Sequence, residues 1–129
     1  MGTIPTVDVS LCFITTWDAD YSDRASTKFV TMERSITSKI ASELRKRGYT
    51  KVTRVTVTRL YRHPDTDKIH VELNVVFEST TLVDNKLVTY VRRDIKSAVH
   101  DGNLKSINVD PNFLITSKGH FYFLEITNA

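Results

Sequence analysis

The chain has 129 residues, with 18 basic and 15 acidic side chains, a formal net charge of +3 and 40% hydrophobic residues. That balance suits one globular domain and excludes several classes. No apolar run approaches the roughly 20 residues a helix needs to span a bilayer, the single cysteine, Cys12, rules out an intradomain disulfide framework, and the charges are mixed along the chain rather than gathered into the basic face of a nucleic-acid binder.

The chain opens Met1-Gly2-Thr3-Ile4-Pro5, with no basic segment leading into an apolar stretch, so residues 1–6 read as a linker and not as a signal peptide. Residues 7–127 read as a single domain. Val7 to Trp17, rich in Val, Ile, Phe and Thr, predicts a strand, and Asp18 to Asp23 breaks it with turn-forming residues. Phe29, Met32, Ile36, Ile40 and Leu44 recur at spacings of three and four, which predicts a helix from about Ser26 to Arg47. Ser26 is the expected N-cap, Arg45, Lys46 and Arg47 complement the dipole of the last turn, and Gly48 supplies a left-handed stop.

Val52 to Tyr61 predicts a second strand, with Val55 and Val57 alternating against threonines. His63 to Lys68 reads as a turn on the strength of Pro64 and its aspartates. Ile69, Val71, Leu73, Val75 and Phe77 then alternate with His70, Glu72 and Asn74, which predicts a strand with one dry and one wet face, paired with its predecessor as a hairpin. A second helix begins near Thr81 to Asp84 and ends near His100, with Leu87 or Val88, Val91, Ile95 and Val99 as its stripe and Asp101-Gly102-Asn103 as its stop. Ile107 to Ile115 predicts a further strand, interrupted by Pro111 and therefore at an edge or a bulge. Ser117 to His120 turns the chain, and Phe121 to Ile126 pairs back as an extra C-terminal strand. The order βαββαβ predicts an α+β ferredoxin-like sandwich, with two helices on one face of a four-stranded antiparallel sheet. That architecture hosts many functions and decides none of them.

Three stretches in register carry a more specific signal: "LCFITTWDADYSDRASTKFVTMERSITSKIASELRK", with Ser26, Phe29 and Glu33 at the helix start; "VTVTRLYRHPDTDKIHVELNVVFES"; and "SINVDPNFLI". Over roughly residues 10–116 the chain resembles a SEA domain, the extracellular module of membrane mucins, proteoglycans and membrane-anchored proteases. Many SEA domains cut themselves at a Gly-Ser bond in the hairpin turn, where the serine hydroxyl attacks the preceding carbonyl. The resemblance puts Asp67 in place of that glycine and Lys68 in place of that serine. Lysine offers no hydroxyl, so a non-cleaving member is expected; Thr66 is the nearest substitute.

Other constellations read more plainly. His63-Pro64-Asp65 matches the tripeptide of J-domain co-chaperones, but that tripeptide works between helices and here strands flank it. His63, Asp65, Asp67 and His70 lack the spacing of a zinc site and read as solvated turn residues. Asp18, Asp20 and Asp23 lack the calcium-loop pattern and read as caps. No nucleophile elbow or glycine-rich phosphate loop occurs, so no enzyme and no cofactor are expected. RNA binding on the sheet would need stacking aromatics where His70, Glu72, Asn74 and Val76 stand. Arg54, Arg59 and Arg62 on the hairpin, with Lys68, and Arg92, Arg93 and Lys96 on the second helix, are candidate glycan contacts, the plainer alternative being solvated faces. The expectation is therefore a non-catalytic, non-cleaving extracellular or cell-surface module, a spacer or adhesion unit of a larger, membrane-anchored protein, which meets glycans or extracellular proteins as a monomer or weak dimer. The alternative, motivated by the lone cysteine and the lack of an Asn-x-Ser/Thr sequon, is an intracellular ferredoxin-like binding or regulatory domain.

Overall fold

The computed structural model describes residues 4–62, 67–107, 109, 113, 114, 122 and 123. The elements run β1 (Thr6–Thr16), a 3-10 turn (Ala19–Ser22), α1 (Thr27–Lys46), β2 (Val52–Arg62), β3 (Lys68–Phe77), α2 (Asn85–His100), a second 3-10 turn (Lys105–Ile107), β4 (Phe113–Leu114) and β5 (Tyr122–Phe123).

Local chemistry sets the helix ends. The Ser26 side chain accepts from the Phe29 N–H at 3.1 Å and starts α1; the Asp84 carboxylate accepts from the Leu87 N–H at 2.9 Å and starts α2. Gly48 at φ +102° and Gly102 at φ +81° stop the helices in the left-handed region that side chains avoid. Before α1, the Asp18 and Asp23 carboxylates accept from the Asp20 and Ala25 N–H groups, and Asp18 forms an ion pair with Lys28.

The predicted four-stranded sandwich needs correction. The main sheet has three antiparallel strands in the order β1-β3-β2, and β4 and β5 form a separate two-stranded sheet. Ile107 closes a 3-10 turn by donating to the Leu104 carbonyl, so the strand expected from Ile107 to Ile115 does not begin there. Val109 touches the outer edge of β1 through one bridge, to Phe13. Beyond Ile107 and Val109, the described residues of the two predicted C-terminal strands are Phe113–Leu114, which pairs with Tyr122–Phe123; the rest of those spans lies outside the described residues.

One core joins the layers. Val7, Val9, Leu11 and Phe13 of β1, Val55, Val57 and Leu60 of β2, and Ile69, Val71, Leu73 and Val75 of β3 pack with Phe29, Ile36, Ile40 and Leu44 of α1 and with Val91, Ile95 and Ala98 of α2. Each large side chain buried there contributes roughly 1.5–3 kcal/mol by leaving water. Two register shifts in β2, between Val52 and Arg54 and between Val57 and Arg59, keep Val52, Val55, Val57 and Leu60 on the core side despite their uneven spacing. The residue inside each shift is a threonine, and each hydroxyl donates to a β3 carbonyl at 3.1 Å: Thr53 to Val76 and Thr58 to Glu72.

Candidate functional site

The face of the sheet turned away from the helices carries the densest group of polar and aromatic side chains. Cross-strand register sets them in rows: Cys12, His70 and Tyr61 in one, Ser10, Glu72 and Arg59 in the next, then Asp8, Asn74 and Thr56. The Tyr61 ring stacks on His70 with centroids 4.7 Å apart, and the Arg59 guanidinium lies 4.0 Å from the Tyr61 centroid. Glu72 accepts from the Tyr61 hydroxyl at 3.5 Å and lies 3.8 Å from Arg59. Burial raises the Tyr61 phenol pKa, and the adjacent Glu72 charge adds to the rise while Arg59 opposes it. Beside this ladder runs an open groove of about 450 Å³ lined by Asp8, Ser10, Thr58, Arg59, Glu72 and Asn74. The groove offers guanidinium and amide donors beside carboxylate acceptors, which is the chemistry of polar recognition. Because both charge signs are present, it is not an anion trap.

This face is drier than its alternation predicts. His70 is 0% exposed, and Ser10, Cys12 and Val76 are also buried, so the wet-face reading holds for the half-buried Glu72 and Asn74 but not for His70. Nor is His70 a solvated turn residue; it lies inside β3, next to Cys12 in register. His63, Pro64, Asp65 and Thr66 lie outside the described residues, and among the described residues no group of three or more His, Cys, Asp or Glu is placed to hold a metal.

The step from Asp67 to Lys68 is held on several sides. The Asp67 carbonyl accepts from the Trp17 N–H at 2.5 Å, and its carboxylate accepts from Arg62 at 2.6 Å. Lys68 is the first residue of β3 and pairs with Thr16 across a register shift in β1. The Asp67–Lys68 bond thus leads directly into a paired strand.

The candidate glycan contacts do not form one patch. Arg54 and Arg59 lie on the open face, in register with Val76 and Glu72, whereas Arg92, Arg93 and Lys96 belong to α2 in the helix layer on the other side of the sheet. Several of them are already engaged. Arg62 pairs with Asp67 and Arg93 with Asp94 at 3.2 Å, and Arg92 donates through Nε and Nη2 to the Asp8 carbonyl at 3.1 and 2.9 Å. Burial lowers the Arg92 pKa, with the nearby Asp8 charge opposing the shift. Arg54 and Lys96 make no ion pair among the described residues.

Sequence reasoning missed the Arg59–Tyr61–His70 stack. Its only signal was the spacing of Val57 and Leu60, which places a bulge at Thr58 and so turns Arg59 and Tyr61 to one face. No protein-family model matches the chain, and no curated protein matches it.

Proposed function

We propose that this chain is a non-catalytic, extracellular SEA-like module, a spacer or interaction unit of a larger cell-surface protein, with the open face of its sheet as the contact surface. The assignment to that family rests on the three stretches around Ser26–Glu33, the β2–β3 hairpin and Ser106–Ile115. The observation that supports a non-cleaving role is the hairpin: Lys68 replaces the hydroxyl that self-cleavage requires and is engaged in strand pairing with Thr16. An intact hairpin makes the module a permanent link in its parent chain rather than a junction that parts under force.

The contact role draws support from the Arg59–Tyr61–Glu72 ladder and its groove, where a guanidinium, an aromatic edge and a carboxylate stand together on a rigid strand pair. Partners of matching chemistry are polar segments of neighbouring extracellular proteins or acidic glycans that meet Arg54 and Arg59.

Expression in cultured mammalian cells behind a secretion signal tests the reading. The expected result is folded protein in the medium, running as one band of full length on a denaturing gel. Fragments that meet near Asp67 would overturn the non-cleaving role, and retention of misfolded chain inside the cell would overturn the extracellular one. Immobilised heparin tests the glycan partner: binding that falls on Arg54→Glu/Arg59→Glu supports it, and absence of binding at low salt removes it.

A further inference from the structure

A three-stranded sheet leaves two outer edges, and an open edge is a template for another strand. Here the helix layer reaches over both. Arg24, three residues ahead of α1, donates to the Val57 carbonyl at 3.1 Å. Arg45, in the last turn of α1, donates to the Val52 carbonyl through Nε and Nη2 at 3.3 and 3.2 Å, and to the Thr53 carbonyl at 3.0 Å. On the opposite edge, Arg92 of α2 grips the Asp8 carbonyl. β2 lies at the end of the strand order, and among the described residues β3 is its only neighbour in the sheet.

We infer that Arg24 and Arg45 close the β2 edge against strand addition by a second copy of this chain. A strand added there would have to send its N–H groups to the carbonyls of Val52 and Val57, which already accept from guanidinium groups. Displacing them exchanges charge-assisted hydrogen bonds for neutral ones. The two arginines grip the strand at positions five residues apart, and each is held on its own side. Arg24 lies over the Phe29 ring at 5.0 Å and pairs with Glu33 at 3.8 Å, while Arg45 rides on α1. The two bulges at Thr53 and Thr58 add a second barrier, because each breaks the even spacing that a docking strand must match. Between the grips, Val55 and Thr56 line a groove against Val30, Arg34 and Thr37 of α1. The first half of the edge, from Val52 to Val57, is therefore bracketed by cations, and its β-branched sequence, which favours strand pairing, is kept to one partner.

The test is self-association of Arg24→Met/Arg45→Met, which keeps the apolar stems and removes the donors. The control is Lys86→Met on the exposed start of α2. Sedimentation equilibrium of the folded variant, checked by circular dichroism, is expected to show dimerisation at least about tenfold tighter than in the parent and the control, the step expected when one net charge-assisted hydrogen bond no longer has to be displaced. Thr56→Cys in the double variant marks the interface: antiparallel pairing of two β2 strands brings the two introduced thiols together, and an oxidised dimer is expected there but not in the parent background. If the double variant does not fold, Arg45→Met alone carries the same measurements. A folded variant that stays as monomeric as the parent, or one that dimerises without forming the crosslink through Thr56→Cys, overturns the inference. Neither result bears on secretion or cleavage, so the proposed function stands or falls separately.

Discussion

Glu43 offers the sharpest test of how the helix pair is held. It lies near the end of α1 with its side chain 8% exposed, and its carboxylate accepts from Arg47 Nε at 2.9 Å and from Asn103 Nδ2 at 3.0 Å. Arg47 also reaches Asp101 at 3.4 Å, so one carboxylate ties α1 to the loop that leaves α2. Burial alone would raise the Glu43 pKa, but the hydrogen bonds from Arg47 and Asn103 outweigh it and leave the carboxyl below its ordinary value. Glu43→Ala removes two hydrogen bonds to a charged acceptor. Each is worth about 1.5–3 kcal/mol when sheltered from water, but Arg47 is 23% exposed and keeps Asp101. Solvent screening of the pair therefore brings the expected loss to about 1–2 kcal/mol at neutral pH. The sign of the pH dependence follows from the lowered pKa. The carboxylate's contribution is complete above the unfolded-state value of about 4.3 and fades as pH falls through the lower folded-state value. Urea unfolding of parent and variant at pH 7 and near pH 3 measures the difference, which should shrink markedly at the acid end. An equal cost at both pH values would refute the electrostatic account and assign the effect to packing.

Three further substitutions test the core, a helix stop and a half-buried hydroxyl. Ile40→Ala, at a fully buried position on α1, should cost about 2–5 kcal/mol in denaturant unfolding by leaving a cavity in the single core. Gly48→Ala meets no atom within 4 Å, so its cost should be purely conformational: about 1–2 kcal/mol for forcing a side chain to φ +102°, with no structural change visible by circular dichroism. Tyr49→Phe deletes the hydroxyl that donates to Asp94 at 2.5 Å and should cost about 1 kcal/mol in the same assay. Burial raises the Asp94 pKa, but Tyr49 and Arg93 together hold it below the ordinary value, so the Tyr49→Phe deficit should fade in acid as Asp94 protonates.

The helices were legible because each rests on a local signal that tertiary contacts did not contradict. Ser26 and Asp84 cap where hydroxyl and carboxylate residues precede apolar stripes, and Gly48 and Gly102 stop where the chain must turn left. The central hairpin was legible for the same reason, since Ile69 to Phe77 alternates cleanly. The C-terminal part was not. Ile107 is β-branched and reads as a strand former, yet the preceding Leu104 is buried and Ile107 folds back to its carbonyl in a 3-10 turn. Strand propensity measures how a side chain packs on a sheet, and Ile107 packs against the core from a turn instead. The misreading of His70 has a related cause. Alternation assigns a parity, not an environment, and Tyr61 stacks on the ring that the parity sent to the open face.

The arginines show why counting charges on a sequence overstates a basic surface. Arg24, Arg45 and Arg92 sit on or beside helices, yet each extends to a strand carbonyl at a sheet edge, a role the dipole reading of Arg45 and the glycan or solvated-face readings of Arg92 did not include. A guanidinium has five donors in a planar fork, so one side chain can serve two carbonyls, as Arg45 does. Lysine's ammonium has three donors but no planar fork, so it cannot reproduce the paired Nε and Nη2 grip on the Val52 carbonyl. Arg45→Lys is therefore expected to keep the charge and most of the stability, while loosening the hold on the Val52 carbonyl. Amide hydrogen exchange along β2 should rise in Arg45→Lys near Val52, at one end of the strand, and stay unchanged near Val57, where Arg24 still holds. Equal protection at both positions in variant and parent would mean that the fork contributes nothing to holding this edge.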